Sequence, residues 1–230
     1  MAKKKEMQQL AAVIFDMDGV LVDTEPLWRI CMIKGFTAAG IEFTDEDCKS
    51  TTGMRFDEVV KHWHKKKSFN KKTPQELHDN VIDDLCAMIL AEEVEMQGVE
   101  IAIEVCKAHN LKLGLATSSN NKIIETVIKK INGHHFFDAI ESAEGLDYGK
   151  PHPLVFLNCA NKLNVIAQHC LVIEDSINGV IAGKAAGMNV IAVPDALHFE
   201  DARFSIADHK MKSLLEFPSF IKNQIKQIQL

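Results

Sequence analysis

Apolar residues follow two rhythms along this chain, and between residues 43 and 93 one of them drops out. The first is the short, nearly continuous run. Leu10 to Phe15, Leu111 to Ala116, Cys170 to Ile173 and Asn189 to Val193 are such runs, with a weaker one near Phe137 to Ile140. They are too short for buried helices and stop at polar or proline positions, so they predict strands covered on both faces, as in a parallel sheet. The second rhythm repeats every three or four residues and predicts helices over 25–39, 99–109, 122–131, 154–163 and 176–186. Gly40 and Gly187 stand where the first and last of these should stop. From Phe43 to about Glu93 only the helical rhythm continues, through Asp57 to Lys67 and then a long helix reaching Ile89 and Leu90. Thr73 as N-cap, Pro74 at the first helical position and Glu76 reaching back make a strong start signal for that helix. A last surface helix is expected in Ser213 to Leu230.

Strands separated by helices of about ten residues form βαβ units. The expected fold is therefore α/β: a Rossmann-like, doubly wound parallel sheet with an all-helical domain inserted after its first strand. Residues 1–22 and 95–230 would make the sheet domain and 23–94 the insertion.

A length of 230 residues suits one core plus a small second domain. A net charge of −6 argues against a broad nucleic-acid footprint, and Lys61, Lys65, Lys66, Lys67, Lys71 and Lys72, with His62 and His64, read as a solvated helix face. No apolar run is long enough to cross a bilayer, and the polar opening Met1 to Gln9 has no signal-peptide core, so no membrane partner and a cytoplasmic location are expected. Cys31, Cys48, Cys86, Cys106, Cys159 and Cys170 are scattered without a CxxC pair, which predicts free, buried or half-buried thiols in a reducing compartment.

Three predicted strands end in polar groups: Asp16 and Asp18 after the first, Thr117, Ser118 and Ser119 after the second, Glu174 and Asp175 after the fourth. Open α/β sheets place ligands at this edge. Two carboxylates one residue apart at the mouth of an apolar strand repel each other and are costly to desolvate, so they ask for a cation. Lys150, between Gly149 and Pro151, adds a positive charge from a fourth element. Blander roles are available: Thr117 and Ser118 can cap the next helix, as can Glu174 and Asp175, and Gly179 and Gly183 can simply permit close packing.

In this order and spacing, Asp16-Met17-Asp18-Gly19-Val20, Leu115-Ala116-Thr117-Ser118, Lys150-Pro151 and Glu174-Asp175-Ser176-Ile177-Asn178-Gly179 resemble the four motifs of the haloacid dehalogenase superfamily of phosphohydrolases. Asp23-Thr24-Glu25-Pro26-Leu27-Trp28, Thr52-Gly53-Met54-Arg55 and Tyr148-Gly149-Lys150-Pro151-His152-Pro153 are similar to its bacterial sugar phosphatases, the group of hexitol phosphatase and 2-deoxyglucose-6-phosphatase, related to β-phosphoglucomutase. The resemblance implies an Mg²⁺-dependent phosphatase acting on a small phosphorylated sugar or sugar alcohol. Asp16 would attack phosphorus and form an aspartyl-phosphate. Asp18 would handle the proton. Asp16, the Asp18 backbone carbonyl and Asp175 would hold Mg²⁺, with Glu174 acting through a water. Thr117 and the N–H groups of Ser118 and Ser119 would bind phosphate oxygens, and Lys150 would neutralise them. The inserted domain would be a cap lined by Glu25, Trp28, Gly53 and Arg55, unless Arg55 pairs with an acid of its own domain. A phosphomutase of the β-phosphoglucomutase type shares these core residues but has a histidine where matched register puts Trp28. A non-catalytic phosphosugar-binding protein is the third reading. A monomer that binds no nucleic acid is expected.

Overall fold

The computed structural model describes residues 10–228; the polar opening Met1 to Gln9 and the final Gln229 and Leu230 lie outside the described residues. Six parallel strands form one sheet: β1 (Ala12–Phe15), β2 (Lys112–Thr117), β3 (Ala139–Ser142), β4 (Cys170–Glu174), β5 (Asn189–Ala192) and β6 (His209–Lys210), in the order β3-β2-β1-β4-β5-β6. β1 lies between β2 and β4, and all four of its residues are buried. Side chains alternate across a strand, so Val13 and Phe15 enter one apolar cluster while Ala12 and Ile14 enter the other. The first cluster is covered by α5 (Val99–Ala108), α6 (Asn121–Lys130) and α9 (Phe217–Ile228), the second by α7 (Leu154–Lys162) and α8 (Ile177–Ala185). No helix among the described residues is long and apolar enough to cross a membrane.

The register does the positioning. Phe15 lies opposite both Leu115 and Ile173, so Asp16, Thr117 and Glu174 emerge at one edge of the sheet. β3 starts two residues later than the apolar run suggests, because Phe137 turns to pack on Phe15, ring centroids 6.4 Å apart, and Asp138 Oδ2 accepts the Leu113 N–H at 2.8 Å. β6 has no apolar run at all. Its two residues join the sheet because the Asp208 carboxylate accepts the Val190 N–H and leads them alongside β5.

Between β1 and β2 the chain forms α1 (Glu25–Ala38), α2 (Asp45–Lys49), α3 (Phe56–Lys66) and α4 (Pro74–Ala91). Thr73 and Glu76 make the reciprocal capping box expected at the start of α4. Phe36 stacks on Phe43 at 4.1 Å, Phe43 meets Trp63 edge-on at 5.1 Å, and Lys66 and Lys67 lie over the Trp63 ring. Much of the basic run is thus occupied among the helices between β1 and β2: Lys61 pairs with Asp57 and Lys67 with Asp47. The chain leaves and re-enters the sheet domain side by side, joined by Asp23 N–H to Val94 O at 2.6 Å and Met96 N–H to Leu21 O at 2.9 Å. All six cysteines are free and buried; burial pushes the Cys106 and Cys159 thiols up to about 12, leaving them unreactive.

Gly98, which starts α5, has φ +88°, and a Cβ there would lie 2.7 Å from the Leu215 backbone nitrogen. Gly98→Ala combines left-handed strain with a clash against backbone that cannot rotate away. A loss of about 2 kcal/mol or more is expected, seen as a fall of about 4–8 °C in Tm by thermal unfolding. An unchanged Tm would contradict this packing.

Candidate active site

Beyond Phe15 the strand runs on for one residue, the Asp16 N–H donating to Ile173 O at 2.9 Å, and then turns. Gly19 adopts φ +78° and its N–H donates to Val22 O at 2.8 Å. A Cβ on Gly19 would sit 2.0 Å from Asp175 Oδ2, so the bare backbone of the turn is what lets Asp175 approach Asp16. One oxygen from each of Asp16, Glu174 and Asp175 lies within 4.8 Å of the others.

Lys150 enters this group from the loop before α7 and is buried. Its Nζ donates to Asp16 Oδ1 at 2.6 Å, to Glu174 Oε1 at 2.5 Å and to the Ala116 carbonyl at 3.2 Å, so all three ammonium hydrogens are engaged. The other Glu174 oxygen accepts from the Ser176 N–H and hydroxyl, both at 3.0 Å. A Cβ at residue 179 would overlap Glu174 Oε1, so Gly179 is needed for this carboxylate to lie over the start of α8. Burial acts to lower the Lys150 pKa, but the Asp16 and Glu174 carboxylates outweigh it and hold the ammonium above its ordinary value. For Asp16 burial wins: with Glu174 and Asp18 adding repulsion, its carboxyl is pushed up to about 8 despite Lys150. Burial and the same neighbours also raise Asp175. No cation among the described residues pairs with Asp175. A hard divalent cation suits such a set of crowded carboxylate oxygens.

Asp18 is held differently. Ser119 Oγ donates to Asp18 Oδ2 at 2.7 Å, while the Thr24 hydroxyl and, more distantly, Trp28 Nε1 at 3.4 Å point at Oδ1. Two carboxylates separated by one turn residue therefore meet opposite surroundings, one an ammonium and the other neutral donors. Thr117 Oγ1 accepts the Ser119 N–H at 3.1 Å, Asn120 caps α6, and the Ser118 hydroxyl is buried without a hydrogen-bond partner.

These groups open onto a cavity of about 440 Å³ between the sheet edge and the inserted helices. Asp16, Asp18, Thr117, Ser118, Ser119, Lys150 and Asp175 line its floor; Glu174 lies beneath, behind Lys150. Glu25, Trp28, Gly53 and Arg55 all line it from the inserted side. Arg55 meets both expectations at once: it lines the cavity, pairs with Asp57 at 3.0 Å, and reaches across to the carbonyls of Ala143 and Leu146. Burial raises the Glu25 carboxyl, Arg29 opposing it and Asp195 adding to it.

Sequence reasoning passed over several groups here. Thr24 stands at the N-cap of α1 but makes no capping bond, its hydroxyl being given to Asp18; its place one residue after Asp23 in the quoted motif was the available signal. Gln75 and His78 line the cavity from the first turns of α4, and nothing in their sequence neighbourhood marks them.

The family model described as haloacid dehalogenase-like hydrolase matches residues 13–193. Hexitol phosphatase B of Escherichia coli (strain K12) is 39% identical over 210 residues, 91% of this chain and 95% of that protein. A phosphorylated carbohydrates phosphatase of Thermotoga maritima is 30% identical over 189 residues, 79% of this chain and 84% of its own. Among solved structures, β-phosphoglucomutase from Clostridium difficile superposes with a TM-score of 0.80 at 26% identity, covering 96% of this chain and all of that one. CbbY from Rhodobacter sphaeroides, in complex with phosphate, superposes with a TM-score of 0.81 at 24% identity over 90% and 96% of the two chains, a likeness of fold.

An acid raised from 3.8 to about 8 binds its proton more tightly folded than unfolded, so Asp16 makes the metal-free protein lose stability as pH rises from about 4 to about 8. Lys150, raised from 10.5, contributes constantly over that range. Tm in chelator should therefore fall from pH 5 to pH 8, less steeply in Asp16→Asn, and excess Mg²⁺ should raise Tm more at pH 8. Parallel pH curves for the two proteins would refute the assignment.

Proposed function

The chain belongs to the haloacid dehalogenase-like hydrolases, and from that premise we propose that it is a phosphoric monoester hydrolase acting on small phosphorylated sugars or sugar alcohols through an Asp16 aspartyl-phosphate. The observation that carries this reading is the pairing of unlike carboxylates in one chamber: Asp16 on the Lys150 ammonium, Asp18 on the Ser119 and Thr24 hydroxyls. The size of the chamber suits a small molecule, and the named relatives act on hexitol phosphates and phosphorylated carbohydrates.

Phosphate monoesters hydrolyse very slowly in water, and a nucleophilic route divides the difficulty into two steps. An Asp16 oxygen forms the bond to phosphorus as the bond to the substrate oxygen breaks. Lys150 keeps Asp16 oriented and offsets the charge spread over the equatorial oxygens. Asp18, fixed by its hydroxyl donors, gives a proton to the leaving alkoxide and later takes one from the water that attacks the aspartyl-phosphate. The Thr117 hydroxyl and the Ser118 N–H, just before α6, supply donors to the transferring group, whereas the Ser119 N–H expected to join them is given to Thr117 Oγ1. Asp16 and Asp175, whose carboxylate oxygens lie close together, fit Mg²⁺, with the Asp18 backbone carbonyl as the third ligand that the family resemblance implies; the ion would supply further charge neutralisation. Both Glu174 oxygens are engaged, by Lys150 and Ser176, so any part it takes in holding the metal would be through a water, as the resemblance implies. Hydrolysis is favoured over phosphoryl return to a sugar because an indole, not an imidazole, stands beside Asp18. The six buried free thiols accord with a reducing cytoplasm.

With Mg²⁺, the protein should release phosphate from members of a panel of hexose, pentose and hexitol phosphates. Asp16→Asn should lower kcat by about a thousandfold or more and Asp18→Ala by about a hundredfold or more. Protein quenched in acid during turnover should carry phosphate on the peptide containing Asp16. An active Asp16→Asn variant, or net conversion of a sugar 1-phosphate to its 6-phosphate without phosphate release, would overturn the reading.

A further inference from the structure

Across the rings of Phe56 and Trp28 from Asp18, the chamber holds a polar arrangement that the chemistry above does not use. Gln75 and His78 are three residues apart in α4, so they share a helix face, and both line the cavity. Asp79 Oδ1 ties them together: it accepts from Gln75 Nε2 at 2.8 Å and from His78 Nδ1 at 3.0 Å. An ionised carboxylate is an acceptor only, so in this contact the hydrogen sits on His78 Nδ1. In the neutral ring Nε2 is then a lone-pair acceptor. Gln75 is fixed in the same sense, with its NH₂ given to Asp79 and its carbonyl oxygen unbonded among the described residues. The set presents two acceptors to whatever occupies that part of the chamber.

An aromatic file connects these groups to the reaction centre. The His78 ring stacks on Phe56 with centroids 5.4 Å apart and planes 29° apart, and Phe56 meets Trp28 at 5.2 Å. The indole N–H of Trp28 in turn points at Asp18. Trp28, Phe56 and His78 all line the cavity, an apolar wall that suits the C–H side of a carbon chain, while the acceptors suit its hydroxyl hydrogens. The cations on the chamber wall are already balanced: Arg55 and Lys61 by Asp57 and Glu58, Arg29 and Lys49 by Asp45 and Glu46. A second phosphate or a carboxylate thus meets no unpaired cation there, and an uncharged polyhydroxylated tail is the better match.

We propose that His78 is a specificity-determining residue of this chamber, accepting a hydrogen bond from a substrate hydroxyl remote from the phosphate, with Gln75 as a second acceptor and Asp79 as the positioning residue for both. The inference rests on the phosphatase reading for which end of the chamber holds the phosphate. It assigns the substrate class as the monophosphate of a long, uncharged polyol or sugar, engaged along its whole length.

The test compares sorbitol 6-phosphate with glycerol 3-phosphate and p-nitrophenyl phosphate, all with Mg²⁺. His78→Phe keeps a ring on Phe56 and removes the acceptor. It should raise KM for sorbitol 6-phosphate by about five- to tenfold, the worth of one hydrogen bond, with kcat changed less than twofold. Turnover of the two short esters should stay within twofold. His78→Gln, which restores an acceptor, should recover part of the loss, and Asp79→Ala should raise KM more in the parent than in His78→Phe, where only Gln75 is left for it to position. Equal losses on all three esters would mean a general effect on the cap and would overturn the inference, as would an unchanged KM for sorbitol 6-phosphate. Failure of the protein to hydrolyse any ester, p-nitrophenyl phosphate included, would instead refute the phosphatase reading. Calorimetric binding of sorbitol 6-phosphate to the parent and His78→Phe then decides on its own: five- to tenfold weaker binding supports the inference and equal binding overturns it.

Discussion

The ammonium of Lys150 is the interaction on which the sheet edge depends. It is buried, donates all three of its hydrogens, and lies between carboxylates that belong to β1 and to the end of β4. Without it, Asp16, Glu174 and Asp175 would be three acids crowded into a space where burial has already pushed Asp16 up to about 8. Removing one partner of such a buried network leaves uncompensated charge and typically costs several kcal/mol, whereas a fully paired network fixes a single geometry. Neighbouring features follow from its needs. Gly179 and Gly19 are bare so that Glu174 and Asp175 can reach their places, and Ser176 takes the Glu174 oxygen that Lys150 does not.

That network also explains why the two acids of the first turn are not interchangeable. Asp16 continues the strand and falls under the field of Lys150. Asp18, past the bend, faces donors that come from outside the central strand: Ser119 from the edge of β2, and Thr24 and Trp28 from the chain entering the inserted helices. Asp18, to which the proton is assigned, is therefore held partly by the chain entering the inserted helices, while Asp16 is held by Lys150 from the loop before α7 and by its strand bond to Ile173. Any movement of the inserted helices would disturb Asp18 before Asp16, since the hydroxyl of Thr24 sits between the Asp23–Val94 tie and the first turn of α1.

The legible parts of the sequence were those where one physical rule acts alone. A run from Leu10 to Phe15 has no reading except a doubly covered strand, and the Thr73, Pro74 and Glu76 signal gives the start of α4 to the residue. The floor of the site was legible for the same reason: sheet register carries polar strand ends to one edge, whatever their identity. What escaped depends on contacts between elements distant in sequence. β6 exists because Asp208 bonds to β5, and β3 was displaced by the attraction of Phe137 for Phe15. His78 and Gln75 look like ordinary polar residues in the first turns of an amphipathic helix, and only the placement of Phe56 and Asp79 around them gives them a direction.

The division between legible and illegible follows the division of labour in the molecule. Reaction chemistry is built on strand ends and tight turns, where backbone geometry limits which residues can stand and so leaves motifs. The proposed choice of substrate rests instead on helix faces, where many side chains satisfy the same backbone. One apolar cluster runs unbroken from Val13 and Phe15 of the sheet through Val20 and Leu21 to Trp63 and Ile89 of the inserted helices, so the two parts share a core. Packing of that kind tolerates exchange on its cavity side better than it tolerates voids within. A chain of this architecture can therefore change the lining of its chamber, at positions such as Gln75 and His78, while the Lys150 network and the turn at Gly19 stay as they are.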